Sequence, residues 1–265
     1  MMVLSGTLCH LLLLSISFSF TVQPRLTMSE INSDFIKSAF GGTFVTDSYV
    51  LGEKLERISA YIFDWDGVFN NGSKGADGSS PFNEVDSMGI NMLRYNHYIR
   101  KSRNPIAGII TGEKNPVAFT FARREHFHAV YYGIKNKKDA LMHLCDAHDI
   151  PPEEVAYFFD DITDLEVASM CGIRIMIGRN CNPMLLNLAK EKHLADYITA
   201  NGGGNNAIRE ATELLKALSG KYDETISQRS VYSEHYRDYL ISRNIPSPAF
   251  YTVIDSKISE TTPNI

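Results

Sequence analysis

Asp64 and Asp66 stand two residues apart in Ile62-Phe63-Asp64-Trp65-Asp66-Gly67, directly after the apolar run Ala60-Tyr61-Ile62-Phe63. The run reads as a buried strand, and Gly67 with Asn70-Asn71-Gly72 reads as the turn that leaves it. Alternation along a strand puts both carboxylates on one side and Trp65 on the other. Paired carboxylates there can hold a hard cation such as Mg²⁺, and one can attack a phosphoryl group while the other moves the proton. A strand followed by an acidic turn is the plainer reading of the same residues.

Three further segments carry matching chemistry. The run 106–110 ends in Thr111-Gly112, Lys137 starts a helix after the short strand at 129–133, and Tyr157-Phe158-Phe159 runs into Asp160-Asp161 with Asp164 close behind. Taken singly, Thr111 could cap a helix, Lys135, Lys137 and Lys138 could form a solvated basic cluster, and the aspartates could complement a helix dipole. Together they make an inventory for phosphoryl transfer. Carboxylates on two loops bind Mg²⁺, a lysine and a hydroxyl hold phosphate oxygens, and N–H groups at helix starts complete the cradle.

The elements that must position these residues alternate strand and helix. That spacing predicts an α/β fold, a Rossmann-like parallel sheet with helices on both faces, whose carboxyl-end edge is where ligands bind. Asn115-Pro116 opens one helix, Asn182-Pro183 another, and Gly202-Gly203-Gly204 leads into a helix over 207–218. Residues 196–198 read as a short last strand. The Gly- and Ser-rich stretch 72–81 predicts a small β-hairpin flap rising from the first strand end. No large cap domain fits between Gly67 and Thr111. Residues 28–58 form an N-terminal extension, residues 59–223 the main domain, and residues 224–265 a helical extension and tail. Tyr232, Tyr236, Tyr239 and Leu240 repeat at helical spacing, Pro246-Ser247-Pro248 ends that helix, and residues 259–265 read as disordered.

Length and charge set limits. A chain of 265 residues holds one large domain with extensions or two small ones. A formal net charge of −5 gives no electrostatic case for nucleic acid or an anionic membrane. The four cysteines are far apart without metal spacing, which suits a reducing, cytoplasmic compartment. Residues 11–20 resemble the apolar part of a signal peptide but lack a preceding Lys or Arg, and they are too short and serine-rich for a stable membrane span. Residues 1–27 are thus an export signal or anchor, or translation starts at Met28. His126, His128, His143 and His148 have no metal spacing and read as surface or packing residues.

The four motif segments resemble the haloacid dehalogenase superfamily, and within it the capless 3-deoxy-D-manno-octulosonate 8-phosphate phosphatase group. The resemblance spans residues 59–223 and rests on Phe63-Asp64-Trp65-Asp66-Gly67-Val68, Phe82-Asn83, Asp86, Gly89-Ile90, Ile109-Ile110-Thr111-Gly112, Tyr132-Gly133 with Asn136-Lys137, Asp160-Asp161, Ala195-Asp196-Tyr197-Ile198, Gly203-Gly204 and Ala207-Ile208-Arg209-Glu210. It implies Asp64 as nucleophile through an aspartyl phosphate, and Asp66 as the acid and base. It implies Mg²⁺ on Asp64, the Asp66 carbonyl and Asp160, with phosphate on Thr111, the Gly112 amide and Lys137. Asp161 and Asp164 become supporting carboxylates, and Lys138 is the alternative to Lys137. A homo-oligomer, a tetramer in capless members, is also implied. Departures lie around the mouth: Asn70-Asn71 replaces Thr-Asp, Glu113 replaces an Arg, Val85 and Ser87 replace Arg and Gly, and Phe159 and Asn206 each replace a Gly. The Glu113 exchange removes a cation and bears on the substrate, while the transfer residues are intact.

The expected function is Mg²⁺-dependent hydrolysis of a small phosphomonoester, a sugar or sugar-acid phosphate. The alternative is a catalytically weak module serving oligomerisation or regulation of a partner enzyme. A phosphomutase would usually need the missing cap.

Overall fold

The computed structural model describes residues 33–263; residues 1–27 and the choice of Met28 as start lie outside the described residues. The chain opens with α1 (Ser33–Ala39), β1 (Thr43–Phe44), α2 (Ser48–Leu55) and β2 (Ala60–Phe63). It continues through α3 (Glu84–Lys101), β3 (Ile106–Ile110), α4 (Pro116–Arg124), β4 (Ala129–Tyr131), α5 (Lys137–His148) and β5 (Val155–Phe159). Then come α6 (Leu165–Met170), β6 (Ile173–Met176), α7 (Pro183–Glu191), β7 (Tyr197–Ile198) and α8 (Ala207–Leu218). The last elements are α9 (Tyr222–Ser230), α10 (Glu234–Arg243), β8 (Ala249–Ile254) and β9 (Lys257–Glu260).

Among the described residues all the strands join one sheet in the order β1-β7-β6-β5-β2-β3-β4-β8-β9. Pairing is parallel from β7 across to β8 and antiparallel only at the two outer pairs. The chain winds from β2 through β3 and β4 on one side and through β5, β6 and β7 on the other. This makes the carboxyl end of β2 the switch point, where an open α/β sheet has its crevice.

Burial on both faces explains the unbroken apolar runs. In β2, Tyr61 and Phe63 join a core with Ile109, Phe127 and Phe158, whereas Ala60 and Ile62 join a second core with Leu141, Leu144 and Tyr157. Helix starts are fixed locally. The Asn115 side chain accepts a hydrogen bond from Val117 N at 3.0 Å with Pro116 in the first turn of α4, and Asn83 accepts from Asp86 N at 2.8 Å at the start of α3. Thr111 therefore does not cap α4. No helix among the described residues is long and apolar enough to cross a membrane.

Two expectations need correction. Residues 72–81 form no hairpin; a turn closed by Gly75 N to Ser79 O at 2.8 Å is followed by a loop that buries Ser80. The Ser and Gly side chains there offer a strand nothing to pack, and the polar groups bond locally instead. The C-terminal stretch is also not a helix with a disordered tail, and β7 is not the last strand. After α10, β8 runs parallel to β4, and β9 returns beside it through Asp255-Ser256, both left-handed with φ of 49° and 62°. Two successive positive φ angles make the tight turn that suits a hairpin's twist. Tyr251 stacks on Tyr131 with ring centroids 4.9 Å apart, which anchors β8. The predicted tyrosine stripe packs α10 on α3, where Tyr236 and Tyr239 meet Tyr95 at 4.9 and 5.0 Å.

Candidate active site

Asp64 follows β2, Thr111 follows β3, Lys137 begins α5 after β4, and Asp160 follows β5, so four adjacent strand ends deliver them to one edge. All the predicted site residues except Asp164 line one cavity of about 360 Å³. Asp164 lies just beneath it. Lys137 Nζ is 2.9 Å from Asp64 Oδ2 and 2.7 Å from Asp164 Oδ1, with all three side chains buried. Tyr157 OH donates to the same Asp164 oxygen at 2.5 Å, and Trp65 N donates to Asp64 Oδ1 at 2.7 Å. Lys138 points outward to Glu166 at 3.1 Å, so of the two lysines only Lys137 reaches the cluster.

Asp66 lines the same cavity but is held by different partners. Its Oδ1 accepts from Ser80 Oγ at 2.6 Å, and its Oδ2 pairs with Lys74 Nζ at 2.6 Å. The Ser80 hydroxyl is a junction, because Trp65 Nε1, Asn70 Nδ2 and Asn115 Nδ2 all reach it, at 3.0, 3.1 and 2.6 Å. Asp161 is exposed, and its carboxylate accepts from Ile162 N at 2.7 Å. Asp160 is buried and paired with Arg179 Nη2 at 2.7 Å. Two glycines make room for this arrangement. Gly67 has φ of 87°, and a Cβ on it would collide with the Asp160 carboxyl and Arg179 Nη2; one on Gly203 would collide with the Gly67 and Asn70 carbonyls.

Charge is unevenly shared in the cluster. Burial, then the nearby Asp164 carboxylate, push the Asp64 pKa up to about 8 despite Lys137. Burial likewise pushes Asp160 up to about 7, with Arg179 only partly opposing it. Burial works against the Lys137 ammonium, yet Asp64 and Asp164 outweigh it and raise its pKa. Carboxylate oxygens of Asp64, Asp160 and Asp164 lie within 4.8 Å of one another. Three buried carboxylates short of positive charge, with only oxygen donors, fit a hard divalent cation. The arrangement can thus hold an ion, bind a phosphoryl group on Thr111 and Lys137, and present an aspartate to it.

Sequence reasoning missed Arg179, Ser80, Lys74 and Tyr157. Arg179 follows β6, and the one signal for it was that the loop after β6 opens at the same sheet edge.

No family model matches the chain. A 3-deoxy-D-manno-octulosonate 8-phosphate phosphatase from Salmonella typhi is 31% identical over 179 residues, covering 66% of this chain and 88% of that protein. The chain belongs to that family, within the haloacid dehalogenase superfamily. It is a phosphoric monoester hydrolase of the haloacid dehalogenase type. Among solved structures, the Moraxella catarrhalis phosphatase of the same name, in complex with magnesium, phosphate and KDO, is 25% identical with a TM-score of 0.56, covering 68% of this chain and 98% of that one. The Yersinia pestis enzyme of that name is 27% identical with a TM-score of 0.54, covering 65% and 88%.

Proposed function

We propose that this family member is a Mg²⁺-dependent phosphomonoesterase that hydrolyses a small phosphorylated sugar or sugar acid through an aspartyl phosphate on Asp64. The observation that carries the reading is the buried Asp64–Lys137–Asp164 array beside Asp160, at the switch point of the sheet. The relatives' named substrate and the magnesium and phosphate in the Moraxella complex support the substrate class and the ion.

In this reading the Thr111 hydroxyl, the Gly112 N–H and the Lys137 ammonium hold the phosphoryl oxygens. An Asp64 oxygen attacks phosphorus, the ester P–O bond breaks, and Asp66 gives its proton to the departing alkoxide. Asp66 then takes a proton from water, which attacks phosphorus; the Asp64–phosphorus bond breaks and inorganic phosphate leaves. Lys74 and Ser80 hold Asp66 at the mouth, where the leaving group emerges. Asp64, Asp160 and the Asp66 carbonyl would hold Mg²⁺, which when bound offsets the charge of phosphate and nucleophile together. Asp164 and Tyr157 orient Lys137, and Asp161 supports from the exposed rim.

Residues 59–223 are the phosphatase unit in this reading. The assembly is a homo-oligomer, as the resemblance implies, which would cover exposed apolar residues such as Met184, Ile241 and Ile245; sedimentation velocity tests it. Free thiols at Cys145, Cys171 and Cys181 support a cytoplasmic location. Against a merely regulatory module stands the intact cluster.

The test is phosphate release by the full chain from a panel of sugar, sugar-acid and nucleotide phosphates, with and without Mg²⁺. Mg²⁺-dependent turnover of one class, lost in Asp64→Asn, is expected. A folded protein that turns over nothing would overturn the reading.

A further inference from the structure

Arg179 belongs to none of the motif segments, yet it pairs directly with a candidate ion ligand. Its Nη2 lies 2.7 Å from Oδ2 of Asp160, whose side chain is 3% exposed, while the arginine side chain is 25% exposed. The arginine sits in the loop between β6 and α7 and lines the cavity from the flank of β2 opposite to the strand ends that carry Thr111 and Lys135. Gly67 and Gly72 leave the space it occupies. A Cβ at Gly67 would strike both Nη2 and the Asp160 carboxyl, and one at Gly72 would come within 3.4 Å of Nη2.

A divalent ion on Asp160 would lie within a few ångström of the Arg179 guanidinium, and the two positive charges repel each other and compete for the charge of one carboxylate. An ion that takes Asp160 as a ligand therefore weakens the charge-assisted hydrogen bond from Arg179 and drives the guanidinium toward solvent. Its long, partly exposed side chain has room to do so. Lys137 is placed differently, since its two contacts are to Asp64 and Asp164, and it is buried by both. The cluster therefore holds one fixed cation and one displaceable cation.

We propose that Arg179 is a tethered counter-cation for Asp160, which offsets part of that carboxylate's charge in the ion-free protein, yields it to the divalent ion, and thereby sets the ion affinity of the site. The inference rests on the Mg²⁺-dependent reading above. It assigns Arg179 no contact with the reacting atoms, so it is a positioning residue whose effect appears in ion binding and in the stability of the ion-free protein.

The experiment is calorimetric titration of Mg²⁺ into the chelator-treated full chain, for wild type, Arg179→Gln and Arg179→Lys, with thermal melts of each in chelator and in saturating Mg²⁺. Removing a competing charged hydrogen bond is expected to tighten Mg²⁺ binding in Arg179→Gln by roughly tenfold. Arg179→Lys, which keeps a cation, is expected to stay near wild type. In chelator Arg179→Gln melts below wild type, and in saturating Mg²⁺ the gap closes. Equal or weaker Mg²⁺ affinity in Arg179→Gln, with wild-type binding intact, overturns this role alone. Absence of Mg²⁺ binding in wild type and variants alike overturns both this role and the metal-dependent reading.

Discussion

Two buried aspartate centres sit at opposite ends of the same sheet, and their electrostatics run in opposite directions. Asp196, at the entry to β7, accepts from Thr46 Oγ1 and Lys54 Nζ at 2.6 Å each, from Arg174 N at 2.8 Å, and from the Arg174 guanidinium at 3.0 and 3.1 Å. Burial alone raises its pKa, but the bonds from Arg174, Lys54 and Thr46 outweigh burial and leave it lowered. At the exit of β2, Asp64 and Asp160 are comparably buried, yet their pKa values are raised. Asp196 is given all its partners, whereas Asp64 and Asp160 are left short of cations, and that shortfall is what an ion and a phosphate-bearing ligand could use in the proposed function.

The largest effect that separates the two centres is on turnover. Asp64→Asn is expected to lower Mg²⁺-dependent phosphate release by about 10³-fold or more, because it removes the proposed nucleophile, while raising the melting temperature of the chelated protein at pH 8 by removing a buried charge. Asp196→Asn should do the reverse. It strands Lys54 and Arg174 beside a neutral amide and costs about 2–3 kcal/mol in denaturant unfolding, discounted for the partial exposure of both cations, with kcat close to wild type.

A smaller effect lies in pH. Asp64 and Asp160 have folded pKa values raised to about 8 and about 7, above their unfolded values near 3.8. The folded chain then keeps protons that the unfolded chain has lost, so stability falls as pH rises from about 4 and levels off above about 8. Melts of chelated protein should follow that slope, and Asp64→Asn should flatten it. Asp196 contributes with opposite sign, since its lowered pKa gives stability that is lost only on acidification. The smallest change is Ser80→Ala, which removes the hydroxyl donor to Asp66 and leaves Trp65 Nε1, Asn70 and Asn115 without their shared acceptor. A kcat about tenfold lower with KM little changed is expected; an unchanged kcat would leave Lys74 alone as the group that positions Asp66.

What was legible in the sequence followed from local physics. Apolar runs ending in Asp64, Thr111 and Asp160 had to be buried strands, and strands so spaced had to lie parallel, which brought their ends together. Asn115-Pro116 announced a helix start because its cap acts within two residues. Ser80 was not legible, since its bond to Asp66 spans fourteen residues of loop whose path no periodicity sets. Arg179 was hidden for the same reason: its partner lies on another strand end. The hairpin of β8 and β9 was obscured by Pro246 and Pro248, which signal a helix end but also allow the extended chain that pairs with β4. Phe250, Tyr251 and Val253 carried the strand propensity that the prolines masked.

The most direct test of Asp64 as nucleophile is to trap the phosphorylated protein. Turnover of the best phosphate ester from the panel, labelled on phosphorus, would be acid-quenched in wild type, Asp66→Asn and Asp64→Asn. Up to one base-labile phosphate per chain is expected, on the peptide that contains Asp64, higher in Asp66→Asn and absent in Asp64→Asn. Rapid phosphate release with no label on the protein at any time, or a label that persists in Asp64→Asn, would contradict it.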